Sequence, residues 1–136
     1  KLWGMCNILG EEVFDDPSQE EIRPWYYTWS LMCRYFPTGS NILKTTLDCT
    51  KGVYAAAGEY QGKYVFAAVN IGDEDRSLDI SLPAALENVS LYVYEEGNRQ
   101  TNNEGHPVPV QTGLTVDGTY QTILKAQSFI LLTNID

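Results

Sequence analysis

The hydrophobic pattern changes period part-way along the chain. From Pro24 to about Tyr35 apolar residues recur at helical spacing. One face carries Trp25, Trp29, Met32 and Phe36; the opposite side carries Tyr27, Leu31 and Tyr35. Pro24 suits the first helical position, where its missing N–H costs nothing, while Pro37 blocks continuation and Gly39 suits the exit. A helix apolar on two sides is expected to lie between two layers, one of them expected to be outside this chain. At about 12 residues it is too short to span a bilayer. Asp15-Asp16-Pro17 predicts a turn or an earlier helix start, with Ser18, Gln19, Glu20 and Glu21 following as first-turn residues.

Beyond about residue 41 the period drops to two. Val53 to Tyr60 and Lys63 to Asn70 flank Gln61-Gly62, a two-residue hairpin turn. In the second of these, Tyr64, Phe66 and Ala68 alternate with Val65, Ala67 and Val69, so both faces are apolar and the strand is expected to be central. Leu78, Ile80 and Leu82 alternate with Ser77, Asp79 and Ser81, a half-buried strand. Val89, Leu91 and Val93 alternate with Ser90, Tyr92 and Tyr94. Gly97 to His106 lacks a pattern and is expected to be a long mobile loop. Asp117-Gly118 predicts a second hairpin, joining 113–116 to 119–124, and Gln127 to Asn134 the last strand. About eight strands at this spacing predict a mainly β fold, an antiparallel β-sandwich with an N-terminal helical segment. The chain divides accordingly into a helical segment, 1–37, and a sandwich domain, 38–136.

Composition narrows the partners. A length of 136 residues suits one domain. Eighteen acidic against nine basic residues give a net charge of −9, which lacks the basic footprint of a nucleic-acid binder. No apolar run approaches the roughly 20 residues of a membrane-spanning helix. Cys6, Cys33 and Cys49 offer neither a disulfide framework nor zinc spacing and read as buried or half-buried thiols. The opening Lys1-Leu2-Trp3 reads as a cut through a longer polypeptide or a processed product, with Trp3, Met5, Ile8 and Leu9 as residues that would pack against something outside it.

Candidate chemistry is sparse. The single histidine, His106, has no nucleophile elbow to serve and reads as a solvated loop residue. Glu11-Glu12, Asp15-Asp16, Glu20-Glu21 and Glu95-Glu96 are adjacent carboxylates that point apart, whereas hydrolytic pairs face each other across a cleft. Asp73-Glu74-Asp75 lacks the spaced ligands of a calcium loop. Asn88-Val89-Ser90 fits a glycosylation sequon. No cofactor or metal is expected. Sugars stack on aromatic rings, so Tyr60, Tyr92, Tyr94 and Tyr120, with Tyr54, are candidates for a carbohydrate platform, the plainer reading being cross-strand packing.

Pro24-Trp25-Tyr26-Tyr27 followed by Arg34-Tyr35-Phe36-Pro37-Thr38-Gly39-Ser40-Asn41-Ile42 resembles the join between the last barrel helix and the side β-domain of clan A glycoside hydrolases, especially family 30-like enzymes. Val53 to Ala57, Tyr64 to Asn70 and Leu124 to Leu132 are similar to strands of those domains, so the resemblance spans about residues 22–134. Thr38 between Pro37 and Gly39 departs from the family's junction. The resemblance implies the C-terminal β-domain of a carbohydrate-active enzyme, with both catalytic glutamates on barrel strands that this chain does not contain. No residue here matches a catalytic motif. Lys1 to Gly10 would be a remnant of the barrel's end. The implied function is to brace the barrel through Trp25, Trp29, Met32 and Phe36. An exposed helix face would favour self-association. An autonomous carbohydrate-binding module, with an oligo- or polysaccharide partner, is the alternative. A secreted or periplasmic location is expected ahead of a cytoplasmic one.

Overall fold

A computed structural model describes residues 6–8, 20–22, 24–48 and 51–136. Two short strands, β1 (Cys6–Ile8) and β2 (Glu20–Ile22), pair antiparallel. Glu20 and Glu21 are therefore strand residues and not the first turn of a helix; Asp15 to Gln19 lie outside the described residues. So do Trp3, Met5, Leu9, Cys49 and most of the proposed barrel remnant. The expected helix is α1 (Pro24–Tyr35), which starts at its proline and carries Arg34 in the last turn, where a cation suits the helix dipole. The Ser40 N–H bonds to the Pro37 carbonyl at 3.0 Å, and Gly39 takes a φ of 94° as the chain turns into the sheet.

The strands that follow are β3 (Asn41–Leu43), β4 (Val53–Tyr60), β5 (Lys63–Asn70), β6 (Arg76–Ser81), β7 (Leu86–Glu95), β8 (Asn98–Arg99), β9 (Gln111–Val116), β10 (Thr119–Leu124) and β11 (Ser128–Thr133). The large sheet runs β3-β4-β5-β11-β7, and β8 and β9 share the outer edge of β7. The small sheet is β6 with β10. All of these pairings are antiparallel.

Alternation explains the layers. Along β5, Tyr64, Phe66 and Ala68 face the small sheet, and Val65, Ala67 and Val69 face α1. Along β11 all six residues are buried: Ile130 and Leu132 join the inter-sheet core, Phe129 and Leu131 the core under the helix. An antiparallel strand buried on both faces reads as a continuous apolar run, as Phe129 to Leu132 does. The β4–β5 hairpin forms where expected. Both turn residues have positive φ, 53° at Gln61 and 78° at Gly62, the geometry whose twist matches the flanking strands.

Two turn expectations are corrected. Asp117-Gly118 does not close a hairpin between its flanking strands. β9 pairs with β7 in the large sheet and β10 with β6 in the small one, so the turn carries the chain across the sandwich. The Gly118 carbonyl accepts the Leu82 N–H at 2.9 Å, tying that crossing to the end of β6. The segment from Gly97 to His106 is not free of regular structure: β8 folds back on the end of β7, and Thr101 bridges to Pro107. In β7, Asn88 (φ 56°) is exposed on a bulge between the Leu86 and Val89 pairings.

Candidate functional site

α1 lies on the large sheet through Tyr27, Leu31 and Tyr35, all buried with Val65, Ala67, Tyr92, Phe129 and Leu131. Met32 and Phe36 are half-buried at the margin of that core. A Cβ on Gly58 would stand 3.1 Å from the Phe36 ring, so β4 carries glycine where the ring rests on its backbone. The Thr28 and Ser30 hydroxyls donate to the carbonyls of Trp25 and Tyr27, one turn back along the helix.

The outer face of α1 is open. Trp25 and Trp29 are 37% and 53% exposed and meet edge to face at 6.2 Å between ring centres. The helix thus has one apolar side buried in the sandwich core and one, carrying Trp25 and Trp29, exposed, the arrangement expected where one of the two layers lies outside this chain. Cys33 is exposed and free on this helix, contrary to the buried reading; the side chains of Cys6 and Cys49 lie outside the described residues.

The four candidate tyrosines do not share an open face. Tyr92 is buried beneath α1, and its hydroxyl shares a 2.5 Å hydrogen bond with that of Tyr35. Tyr94 packs in the same layer, its ring 5.6 Å from that of Tyr27. Tyr60 is half-buried at the end of β4, beside Gly39. Tyr120 belongs to the small sheet and packs into the opposite core. Tyr54 is exposed but stands apart from them at the start of β4. Burial pushes the Tyr27 hydroxyl up to about 12, with Tyr92 adding to the effect, and that hydroxyl donates to the Val93 carbonyl at 3.0 Å. Burial and the Tyr92 hydrogen bond push the Tyr35 hydroxyl up as well.

The carboxylates of the Asp73-Glu74-Asp75 loop are engaged in holding the fold. Asp75 accepts from Lys125 Nζ at 2.8 Å and the Ala126 N–H at 2.9 Å, and those hydrogen bonds lower its carboxyl below the ordinary range and raise the Lys125 amine. Asp73 accepts from Gln127, and Glu74 pairs with Arg76. Among the described residues no three metal-ligating side chains converge. A cavity of about 650 Å³ opens between the sheets where the narrow β6–β10 pair leaves β4 and β5 uncovered, and Leu43, Leu47, Ala57, Phe66, Leu78 and Ile80 are among its lining residues.

Two tertiary contacts were not legible in the sequence. Tyr26 at the start of α1 bonds through its hydroxyl to His106 Nδ1 at 3.1 Å, fastening the helix to the 97–107 loop. Asn70, wholly buried, cross-links two loops. Its position at the end of a strand that is apolar on both faces was the available signal; Tyr26 offered none, because its partner lies 80 residues away.

These features define a helix-backed antiparallel β-sandwich with an uncovered aromatic face. Solved structures share that fold. A family 30 (GH30) endoxylanase from Clostridium papyrosolvens C71 is 20% identical, with a TM-score of 0.63, over 82% of this chain and 28% of its own. The catalytic domain of GH30 xylanase C from Talaromyces cellulolyticus is 18% identical, with a TM-score of 0.68, over 87% of this chain and 25% of its own. A conserved exported protein from Bacteroides fragilis is 12% identical, with a TM-score of 0.64, over 95% of this chain and 26% of its own. No family model and no curated protein matches the sequence. The likeness is one of fold, and this chain spans only about a quarter of the length of these structures. The fold is consistent with that of a GH30 C-terminal domain, as the resemblance implied.

Proposed function

We propose that this chain is a non-catalytic accessory domain of a glycoside hydrolase, bracing a catalytic barrel through the outer face of α1. The observation that carries the reading is the exposed Trp25–Trp29 pair on a helix whose other face is already part of the sandwich core. Covering both indoles removes roughly 200 Å² of side chain from water, about 5 kcal/mol gross at 25 cal/mol per Å². Met32 and Phe36 transmit that contact to the sheet. On this reading residues 1–37 bring the chain out of the barrel, residues 38–136 form the sandwich, and α1 serves both. The barrel supplies the chemistry, and the enzyme works outside the cytoplasm. No helix among the described residues is long and apolar enough to cross a membrane. The scatter of Tyr60, Tyr92, Tyr94 and Tyr120 supports bracing over an autonomous carbohydrate-binding surface.

The test is Trp25→Ser with Trp29→Ser in the whole polypeptide that carries this chain. The expected result is glycosidase turnover unchanged at 25 °C and a thermal inactivation midpoint lowered by several degrees. An unchanged midpoint, or loss of turnover in a folded enzyme, would overturn the proposal.

A further inference from the structure

The phenol of Tyr26 differs in its partner from the other phenols bonded around α1. Tyr27 donates to the Val93 carbonyl, and Tyr35 and Tyr92 share a bond with each other. Neither a carbonyl nor a second phenol takes up a proton near neutral pH. Tyr26 instead has a base: its hydroxyl lies 3.1 Å from His106 Nδ1, on the one imidazole of the chain. Glu104 Oε2 stands 3.7 Å from the other ring nitrogen. That carboxylate favours the tautomer with hydrogen on Nε2, which leaves Nδ1 as the acceptor of the phenolic hydrogen. It also stabilises the imidazolium formed when the proton crosses. Tyr26 adjoins Trp25 and lies three residues before Trp29, a spacing that puts Cβ atoms about 5–6 Å apart on a helix. The two indoles meet edge to face at 6.2 Å and are open to small oxidants. An indole gives up an electron while keeping its proton. A phenol does so readily only when the proton leaves as well, so a base in hydrogen-bond contact decides which phenol follows.

We propose that Tyr26 is a redox-active tyrosine that restores the oxidised Trp25–Trp29 pair, with His106 as its proton acceptor. The oxidant is a diffusing oxygen-centred radical. It takes one electron from the indole pair and leaves as its anion, and the indole becomes a radical cation. Tyr26 then returns one electron to the indole while its hydroxyl proton moves to His106 Nδ1. The products are a neutral indole, a neutral tyrosyl radical and an imidazolium held beside Glu104. A thiol reductant from solution later supplies one electron to the tyrosyl oxygen, and His106 gives the proton back. Tyr27, Tyr35 and Tyr92 lie close by in the core under α1 and do not compete, because none of them has a base for its proton. This role is independent of the bracing role, since no second domain takes part in it.

Flash-quench oxidation of this chain by tris(bipyridine)ruthenium(III) tests it, with transient absorption and electron paramagnetic resonance to tell indole from tyrosyl radicals. In the parent an indole radical is expected first, and a tyrosyl radical should replace it. Trp25→Phe with Trp29→Phe should remove that fast phase. Tyr26→Phe should leave the indole radical long-lived, although eight of the nine tyrosines remain. His106→Gln keeps a hydrogen-bond acceptor but cannot take the proton. It should lengthen the life of the indole radical on the order of a hundredfold, the scale of a positioned general base. Circular dichroism matching the parent would show that each variant is folded. A tyrosyl radical that forms as fast in Tyr26→Phe as in the parent would overturn the proposal. So would a rate indifferent to His106→Gln. Cys33 is an exposed free thiol four residues beyond Trp29, and a tyrosyl signal seen only after Cys33→Ser would make that thiol the end point and overturn the proposal as well.

Discussion

Replacing Asn70 with aspartate exchanges an amide nitrogen for an oxygen of nearly the same size and reverses what the site can do. The Asn70 amide donates to the carbonyls of Glu74 at 2.8 Å, Lys125 at 3.0 Å and Leu124 at 3.3 Å, and its oxygen accepts the Gly72 N–H at 2.9 Å. The side chain is 0% exposed and staples the β5–β6 loop to the β10–β11 loop. A carboxylate keeps the Gly72 contact but turns an acceptor toward three carbonyl oxygens. Losing the donors costs about 1 kcal/mol for each bond, and an unpaired buried charge adds more, for a total of about 4 kcal/mol at pH 7. Asn70→Ala loses all four bonds, the Gly72 contact included, without adding a charge, and should cost about 4 kcal/mol. The pH dependence separates the two. Burial among carbonyls raises the folded pKa of the new carboxyl above its unfolded value, so its penalty is present at neutral pH and lifts as pH falls and the group is protonated in both states. Urea unfolding at pH 7 and pH 5, each against the parent, should show the aspartate variant regaining part of its deficit at pH 5 and the alanine variant holding its own. An aspartate variant within about 1 kcal/mol of the parent at pH 7, or one whose deficit ignores pH, would refute the reasoning.

Gly58→Ala should destabilise by about 1–2 kcal/mol, because the added methyl meets the Phe36 ring at 3.1 Å and Val65 at 3.3 Å; thermal unfolding would expose an error of sign, since an unobstructed strand glycine is improved by alanine. Tyr27→Phe should cost about 1 kcal/mol at pH 7 through its bond to Val93. Because burial raises that hydroxyl to about 12, its contribution is full below the unfolded value near 10 and fades as pH rises through 12. The variant should therefore lose less stability than the parent across that interval. Asp75→Asn should flatten the acid limb, since the lowered carboxyl stabilises the fold above its ordinary pKa and ceases to as pH falls through the lowered one; Lys125, raised, mirrors this at the alkaline end. Unfolding midpoints from pH 2 to 5 check it, and parallel curves for variant and parent would count against the Asp75–Lys125 pin.

Local pattern carried most of the fold. The α1 boundaries, the Gln61-Gly62 hairpin and the doubly apolar β5 were legible because propensity, turn chemistry and burial agree there. Asp117-Gly118 was misread for a physical reason: a turn dipeptide specifies a reversal, not which sheet receives the next strand. The pairing within 97–107 was not legible because it is accompanied by contacts of the Asn102 side chain and of Tyr26, and composition registers neither. Glu20 and Glu21 looked like a helix start because acidic residues after a proline suit a first turn, yet pairing with Cys6–Ile8 decides their geometry. For the site, the tryptophan stripe was legible from its spacing. The fate of the tyrosines was not, since alternation places Tyr92 and Tyr94 on one face of β7 without telling whether α1 or solvent covers that face.

The central claim is that the outer face of α1 is a docking surface for a catalytic barrel, and titration calorimetry in trans tests it most directly. This chain would be added to the remainder of its own polypeptide, prepared separately. The account requires saturable one-to-one binding with a negative heat-capacity change, the mark of buried apolar surface, lost on Trp25→Ser with Trp29→Ser. Two folded partners that give no binding, or binding indifferent to both substitutions, would contradict it.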